Sequence, residues 1–369
     1  MAESVAQTIT DLLIQHDIDV LRVLDASETL IEQDVRALTS LIVGELAASD
    51  PTEPIRRAFG KSRLDRVIGE SQGLIRTAYS KSYRTLRREL IALGIDETEA
   101  FRAIVNQGVG VNVMGRSLNT SDVTSILDDR AITTNFDNAE TMRGFFEREA
   151  AAHHRRVQGT LQQGFSQGDN LSQLIARLQE KNGIQMREAV GIARTATNHV
   201  TTNVRIEMMQ RNANLFRGVI AIAVLDGNTT RICISRSNGM WSLNTGQPLP
   251  ESPVRIKFPG PTPWHFAERT HLYPLTHTAS QMARRSEQAR RAISRLTPEQ
   301  RALLNADPPA QEDYGTWLKR QPESVQVRVL GRTRRELWLQ DKLSLRELVT
   351  QKGRPLTLKQ LAQRRKRAA

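Results

Sequence analysis

Residues 218–225 read Gly-Val-Ile-Ala-Ile-Ala-Val-Leu, a continuous apolar run of strand length. A run that is apolar at every position is typical of a strand that is buried on both faces. The Asp-Gly-Asn at 226–228 and the Asn-Gly at 238–239 tolerate the positive φ that tight hairpin turns require. These turns separate two further short segments, 230–234 and 240–243, which are expected to be strands. The stretch therefore predicts a small antiparallel β meander.

Other segments flank this meander on both sides. Residues 193–199, Ala-Arg-Thr-Ala-Thr-Asn-His, precede it as part of a predicted helix. Six prolines between Pro248 and Pro263 follow it, and they keep the backbone extended and unable to pair in the centre of a sheet. The chain then returns at 269–275 as a last short strand. Together these segments predict an α+β module at residues 190–278.

The chain before the module is expected to be helical. Apolar residues recur every three or four positions from Ser4 to Ala48 and from Arg63 to Leu93, which is helical spacing. The first stretch predicts a helical hairpin or longer, and the second predicts a helix that ends at Gly94. The further predicted elements are a helix opened by a cap at Asp96, a glycine-rich loop at 107–115, helices capped by Asp122 and Asp137, the latter at 139–163, and helices at 171–181 and 185–210.

These patterns place the protein in the α+β class, mostly α-helical, with the small antiparallel β meander embedded between helical regions. At 369 residues the chain is long enough for two or three domains. The expected division is a helical N-terminal region at 1–189, the α+β module at 190–278 and a basic helical C-terminal region at 279–369. No segment approaches the roughly 20 apolar residues of a membrane span, and the N-terminus does not read as a standard export signal. The single cysteine, Cys233, excludes an internal disulfide and is typical of assembly in reducing cytoplasm.

The positive charge of the chain is concentrated at its C-terminal end. The formal net charge is +12, and residues 281–369 hold 21 Lys and Arg against 9 Asp and Glu, which leaves residues 1–280 with no net charge. A basic segment of this kind is either a solvated surface or a binding site for a polyanion. The candidate nucleic-acid-binding residues are Arg284, Arg285, Arg290, Arg291, Arg364, Arg365, Lys366 and Arg367.

Residues with catalytic or ligating potential cluster in and after the meander. A nucleophile would have to combine Cys233 with His265, His271 or Asp226. Cys233 lies in an apolar context, where a free cysteine is usually inert, so we expect no catalytic residue. A structural zinc would need about four ligands, and the grouped candidates are Cys233, His265, Glu268 and His271. With only one thiolate among them, the sequence predicts neither a metal nor another cofactor.

A structural role accounts for the same region more simply. Asp226 and Gly239 serve turns, Thr230 can bond to the turn backbone, and Trp241 provides a large apolar anchor. Arg269 can bind a carboxylate or backbone carbonyls across the loop.

The order of these residues resembles that of the phage Mu F-like head morphogenesis (minor head) protein family. The resemblance begins upstream at 168–178, includes the Ala-Arg-Thr at 193–195, and resumes downstream at 314–321 and 329–331. The positions that carry it in the module are Arg194, Asp226, Thr230, Cys233, Gly239, Trp241, His265 and Arg269. Two positions depart from the family pattern, because Glu268 stands where a cysteine is usual before the arginine, and Ala196 stands where a glutamate is usual after Ala-Arg-Thr.

The resemblance implies a minor head protein of a tailed phage, which is made in the host cytoplasm and retained in the capsid interior. Its implied partners are the portal protein, the scaffold or major capsid protein, and double-stranded DNA bound through the C-terminal region, with no membrane. One alternative is a nucleic-acid-binding protein that works through its basic C-terminal tail. A second is an effector enzyme, since modules of this family are also fused to toxin domains, but the C-terminal segment shows no catalytic constellation.

Overall fold

A computed structural model describes residues 4–46, 61–135, 138–224, 229–305 and 314–343, together with residues 345, 357, 359 and 360. The helices are α1 (Val5–Leu46), α2 (Lys61–Val109), α3 (Thr120–Asp129), α4 (Met142–Gln167), α5 (Leu171–Arg211), α6 (Arg231–Arg236), α7 (Ala279–Arg285), α8 (Glu287–Ile293), α9 (Pro298–Asn305), α10 (Tyr314–Lys319), α11 (Glu323–Leu330) and α12 (Arg332–Leu339). The strands are β1 (Ile132–Asn135), β2 (Asn138–Glu140), β3 (Phe216–Ala223), β4 (Met240–Ser242) and β5 (Thr270–Thr276). The fold is α+β and mostly α-helical, which confirms the predicted class.

The long helices continue where the sequence predicts breaks. Residues 5–46 form a single helix rather than a hairpin, and α2 runs through Gly94 and Asp96 without ending. A Cβ on Gly94 would lie 2.5 Å from Cγ1 of Val123 and 3.1 Å from Cγ1 of Val200, so this glycine lets α3 and α5 pack closely against α2. Tertiary packing thus outweighs the low helix propensity of glycine at this position.

The helix starts differ from the predicted caps by a few residues. Asp122 is the third residue of a capping box whose N-cap is Asn119, so it supports the start of α3 from inside the helix. Thr141 caps α4, and Asp137 lies outside the described residues. Helix α5 is continuous across residue 190, the expected boundary between the first two regions.

The apolar run that begins at Gly218 forms the central strand of the main sheet, β3. This sheet has the order β4-β3-β5, and β3 pairs antiparallel with both neighbours. Val219 of β3 lies between Trp241 on β4 and Pro274 on β5. The predicted small antiparallel sheet is confirmed, with β3 rather than the second segment at its centre.

The predicted strand at 230–234 is wrong, because this segment forms the short helix α6. Ile232, Cys233, Ile234, Ser235 and Arg236 are all buried, so every side of this short helix is covered. The apolar alternation on which the prediction depended spans only three residues, too few to distinguish the two periodicities.

The turn at 238–239 forms, but it joins α6 to β4 rather than two strands of a hairpin. Asn238 adopts a φ of 59°, the left-handed conformation that asparagine tolerates. A Cβ on Gly239 would lie 2.3 Å from the Trp241 ring, so glycine is required there.

One large cluster of buried apolar side chains connects the helices, the sheet and the C-terminal helices. It includes Ile9, Phe101, Phe145, Val204, Trp241, Leu272, Met282, Ile293, Leu304, Leu318 and Trp338. A second cluster joins α1, α2, α4 and α5 through Leu38, Ile68, Leu161 and Leu174. The basic C-terminal region therefore contributes to the main core, and the three expected regions remain a prediction as separate folding units.

Buried charges also join the helices to the sheet. Arg205 of α5 donates to Asp17 of α1 at 2.6 and 3.3 Å and to Glu97 of α2 at 2.6 Å. The hydroxyl of Tyr273 on β5 donates to Asp17 at 2.7 Å, and His16 contacts Glu97 at 2.9 Å.

Among the helices that the structure describes, none is both long enough and apolar enough to cross a membrane.

Candidate functional site

Helix α5 holds the loop that follows the prolines through a row of buried polar side chains. Thr195 accepts a hydrogen bond from the Ala267 amide at 2.8 Å. Asn198 donates to the carbonyls of Glu268 and Thr270 at 3.2 and 3.3 Å. It accepts from the hydroxyl of Thr262 at 2.8 Å. Thr195 and Asn198 lie three positions apart in the sequence, a helical spacing that could have placed them on one face.

The tryptophans fix the opposite side of this loop. Trp241 is completely buried, and its indole N–H donates to the Ile256 carbonyl at 2.8 Å. The ring of Trp264 lies edge-on to it, with the centroids 6.4 Å apart. The guanidinium of Arg236 covers the Trp264 ring at 4.7 Å from its centroid. The loop that contains the prolines and Trp264 therefore lies over α6.

The positions Thr230, Cys233, His265 and Glu268 meet in the resulting corner between α6 and the loop. Sγ of Cys233 lies 3.1 Å from Nε2 of His265 and 3.3 Å from Oε1 of Glu268. Oγ1 of Thr230 lies 2.8 Å from the same Nε2 and 3.3 Å from Sγ. The second ring nitrogen of His265 and the second carboxylate oxygen of Glu268 also have hydrogen-bond partners. Nδ1 of His265 bonds to the Phe266 carbonyl at 2.8 Å, and the Trp264 amide donates to Oε2 of Glu268.

Burial dominates the electrostatics of this corner. It raises the pKa of the Cys233 thiol well above its usual range, and the neighbouring Glu268 acts in the same direction. Burial also raises the pKa of Glu268 although His265 opposes the change. For Arg236, burial lowers the pKa to about 10, and its Nε atom has no hydrogen-bond partner among the described residues.

The distance between Cys233 and His265 is short enough for a nucleophile and its base, but the surroundings do not favour that chemistry. A raised thiol pKa leaves little of the reactive thiolate at neutral pH. The adjoining cleft has a volume of about 30 Å³ and is lined by Val224, Thr229, Thr230, Cys233, His265, Ala267, Arg269 and Thr270. A space of this size holds about one water molecule and is too small for an organic substrate.

The remaining candidates of this region lie apart from the corner or outside the described residues. His271 is 3.5 Å from Asp17, in the buried charge network, and is not in the Cys233 cluster. Arg269 lines the cleft, and Arg194 is exposed on α5. Asp226 lies outside the described residues. The sequence grouping is therefore reproduced for Cys233, His265 and Glu268 only.

The basic candidates on α7 and α8 divide into an exposed pair and a pair that shares the charge of one glutamate. Arg284 and Arg285 are exposed at the end of α7, with no ion pair to a described residue. Arg290 and Arg291 of α8 both pair with Glu287, Arg291 at 3.0 Å. The cluster at 364–367 lies outside the described residues.

A second surface feature is a groove between α2 and α4 that sequence reasoning did not identify. Its volume is about 910 Å³. Tyr79, Tyr83, Phe146 and Ala150 contribute apolar surface to it, and its lining also includes Arg76, Arg84, Arg143 and Arg155 against the single acid Glu147. Its residues lie on two helices far apart in sequence, so no local pattern could group them.

Comparison of the chain with protein-family models, with curated proteins and with solved structures found no match to any of them.

Proposed function

We propose that this chain is a minor head protein of a tailed phage, a structural rather than an enzymatic component that acts in procapsid assembly near the portal protein and contacts packaged DNA. The observation that carries the proposal is the meeting of the motif residues in one hydrogen-bonded unit. Thr195, Cys233 and His265 are separated by many positions in sequence but lie around a single loop. A shared motif that specifies a structural module, rather than a catalytic site, accounts for that arrangement.

The described surfaces fit two different partners. The groove between α2 and α4 offers apolar side chains to a protein, and its arginines favour an acidic segment of that protein. The exposed Arg284 and Arg285 offer charge to a polyanion from another part of the chain. The portal protein is the partner proposed for the groove, and DNA is the partner proposed for the arginines.

The test is co-expression of the full chain with its cognate portal protein, followed by capture at low and high ionic strength. We expect high salt to weaken the arginine contacts of the portal complex but not to dissociate it, because the apolar contacts are little screened, whereas DNA binding is lost. Absence of portal binding at both ionic strengths contradicts the proposal. A chain that binds DNA but not the portal protein supports the nucleic-acid-binding alternative instead.

A matched pair of variants locates the contact. Gly73 lines the groove and Gly69 lies one turn away on the same helix, outside the groove lining, and a Cβ at either position meets nothing within 4 Å. Gly73→Trp should therefore fill part of the groove without disturbing the core, and it should weaken portal capture. Gly69→Trp should leave capture unchanged, and equal effects of both variants would place the contact elsewhere.

A further inference from the structure

We propose that Cys233, His265 and Glu268 bind one transition-metal ion, with Zn²⁺ the best fit, and that a water molecule from the adjoining cleft completes the site. One potential ligand atom from each residue lies within 4.8 Å of the others. The distances from Sγ are 3.1 Å to Nε2 and 3.3 Å to Oε1. A tetrahedral zinc ion separates such ligand atoms by roughly 3.3–3.6 Å, so the two distances from Sγ need only a slight increase.

The ligand atoms are already oriented by outer contacts. Nδ1 of His265 donates to the Phe266 carbonyl at 2.8 Å, which leaves the lone pair of Nε2 pointing at the cluster. Metal-binding histidines typically donate their second ring N–H in this way. Oε2 of Glu268 accepts the Trp264 amide, which leaves Oε1 beside Cys233. The imidazole of His265 and the carboxylate of Glu268 are therefore oriented independently of the ion.

The charges of the cluster match a divalent cation. When a metal ion displaces the thiol proton to solvent, the thiolate of Cys233 and the carboxylate of Glu268 together supply two negative charges in a buried corner. Two buried anions are unfavourable without a cation, and a dication neutralises them. The mixed set of sulfur, nitrogen and oxygen ligands suits Zn²⁺ better than Mg²⁺ or Ca²⁺, which prefer oxygen alone.

The cleft explains why three protein ligands suffice. His265 is half-buried and lines this cleft of about 30 Å³, which has room for one water. Oγ1 of Thr230 lies 2.8 Å from Nε2, where it can bond to a metal-bound water. The sequence grouped His271 with these three residues and predicted no metal because the set holds a single thiolate, whereas in the proposed site a water takes the place of His271. The inference concerns the module alone and does not depend on the proposed function in phage heads.

The experiment uses the full chain in its folded form, with Co²⁺ and Zn²⁺ as probes. We expect one equivalent of Zn²⁺ by elemental analysis and, with Co²⁺, a sulfur-to-cobalt charge-transfer band that only the single thiolate can give. Zn²⁺ should displace Co²⁺ and abolish the band. His265→Gln and Glu268→Gln should weaken Zn²⁺ binding by at least about 100-fold, since loss of an outer contact alone costs up to that much.

His154→Gln serves as the control, because it removes a partly buried imidazole outside the cluster. The proposal is overturned if the folded wild-type chain gives no charge-transfer band, or if His265→Gln and His154→Gln weaken Zn²⁺ binding equally. The cobalt spectrum of the wild-type chain decides the question even if a cluster variant fails to fold.

Discussion

Arg205 and Asp17 lie 188 positions apart in the chain, and their side chains meet in the interior through two hydrogen bonds of 2.6 and 3.3 Å. The same guanidinium binds Glu97, and Asp17 also accepts a hydrogen bond from Tyr273. Three helices and the sheet thus share one buried charge network. Such a network tolerates few alternative packings, because any displacement leaves a buried charge without its partner.

Replacement of Arg205 should destabilise the protein strongly. Arg205→Met leaves the carboxylates of Asp17 and Glu97 buried without their cation, so we expect a loss of about 3–5 kcal/mol in the free energy of unfolding. Arg211→Met is the matched control, since Arg211 pairs with Asp122 on a part of α5 that is about one-third exposed. It should cost no more than about 1 kcal/mol. Equal losses in urea titrations of the two variants would show that burial of the network is not important.

Acid should weaken the network at Asp17. Burial alone would raise the pKa of this carboxyl, but the attraction of Arg205 and His271 together with the hydrogen bonds from Arg205 and Tyr273 outweighs it and lowers the pKa from 3.8 to about 2. Because the folded pKa lies below the unfolded one, the carboxylate stabilises the fold above about pH 4, and this stability is lost as pH falls towards 2. The loss is on the order of 2 kcal/mol. Urea midpoints across this window should fall for the wild type and change less in Asp17→Asn.

His199 should produce a second acid effect, which begins at a higher pH. Burial lowers its pKa from 6.5 to about 4, so the folded state holds this ring neutral. The unfolded chain binds a proton below about pH 6.5, and stability therefore falls as pH drops from there towards 4. The expected slope for one such group is about 1.4 kcal/mol per pH unit. His199→Gln should reduce the slope, and an unchanged slope would assign it to another group, such as His153 with its similarly lowered pKa.

Local patterns predicted the elements that local chemistry determines. The apolar run at 218–225 gave the central strand, and the Asn-Gly pair gave the turn at Asn238. The same patterns failed where distant residues decide the outcome. Gly94 remains in a helix because Val123 and Val200 pack against it. Residues 231–236 form the helix α6, which is buried on all sides, although the apolar alternation at 230–234 predicted a strand.

The candidate site was half predictable for a similar reason. Cys233, His265 and Glu268 could be grouped because they belong to one short module, but their distances depend on the loop that α5 holds through Asn198. His271 was misplaced because it lies on β5, next to the buried Thr270, and its ring lies near Asp17 instead. Successive side chains of a strand point to opposite faces, so the neighbours of one position say little about the next.

Glycine substitutions in α2 should separate packing from helix propensity. Gly94→Ala places a Cβ 2.5 Å from a Val123 methyl group, so we expect a loss of about 1–3 kcal/mol despite the better helix former. Gly69→Ala, on an exposed part of the same helix with nothing within 4 Å, should instead stabilise by up to about 1 kcal/mol. Thermal unfolding of the two variants gives the comparison. A gain for Gly94→Ala would mean that α2 and α3 are packed less closely than the structure indicates.

DNA binding should depend on which arginines are removed rather than on how many. Removal of the whole C-terminal region is unsuitable as a test, because Met282 and Ile293 belong to the main core. The double variant Arg284→Gln/Arg285→Gln removes two exposed charges that have no ion pair to a described residue. It should lower DNA affinity and reduce the slope of log K against log salt by up to about 2, since each phosphate contact contributes about 0.9.

The double variant Arg290→Gln/Arg291→Gln removes the same charge, but both of these arginines already pair with Glu287, so its effect should be smaller. Equal effects of the two variants would indicate that only the net charge matters, and no effect of either would place the DNA contact outside α7 and α8.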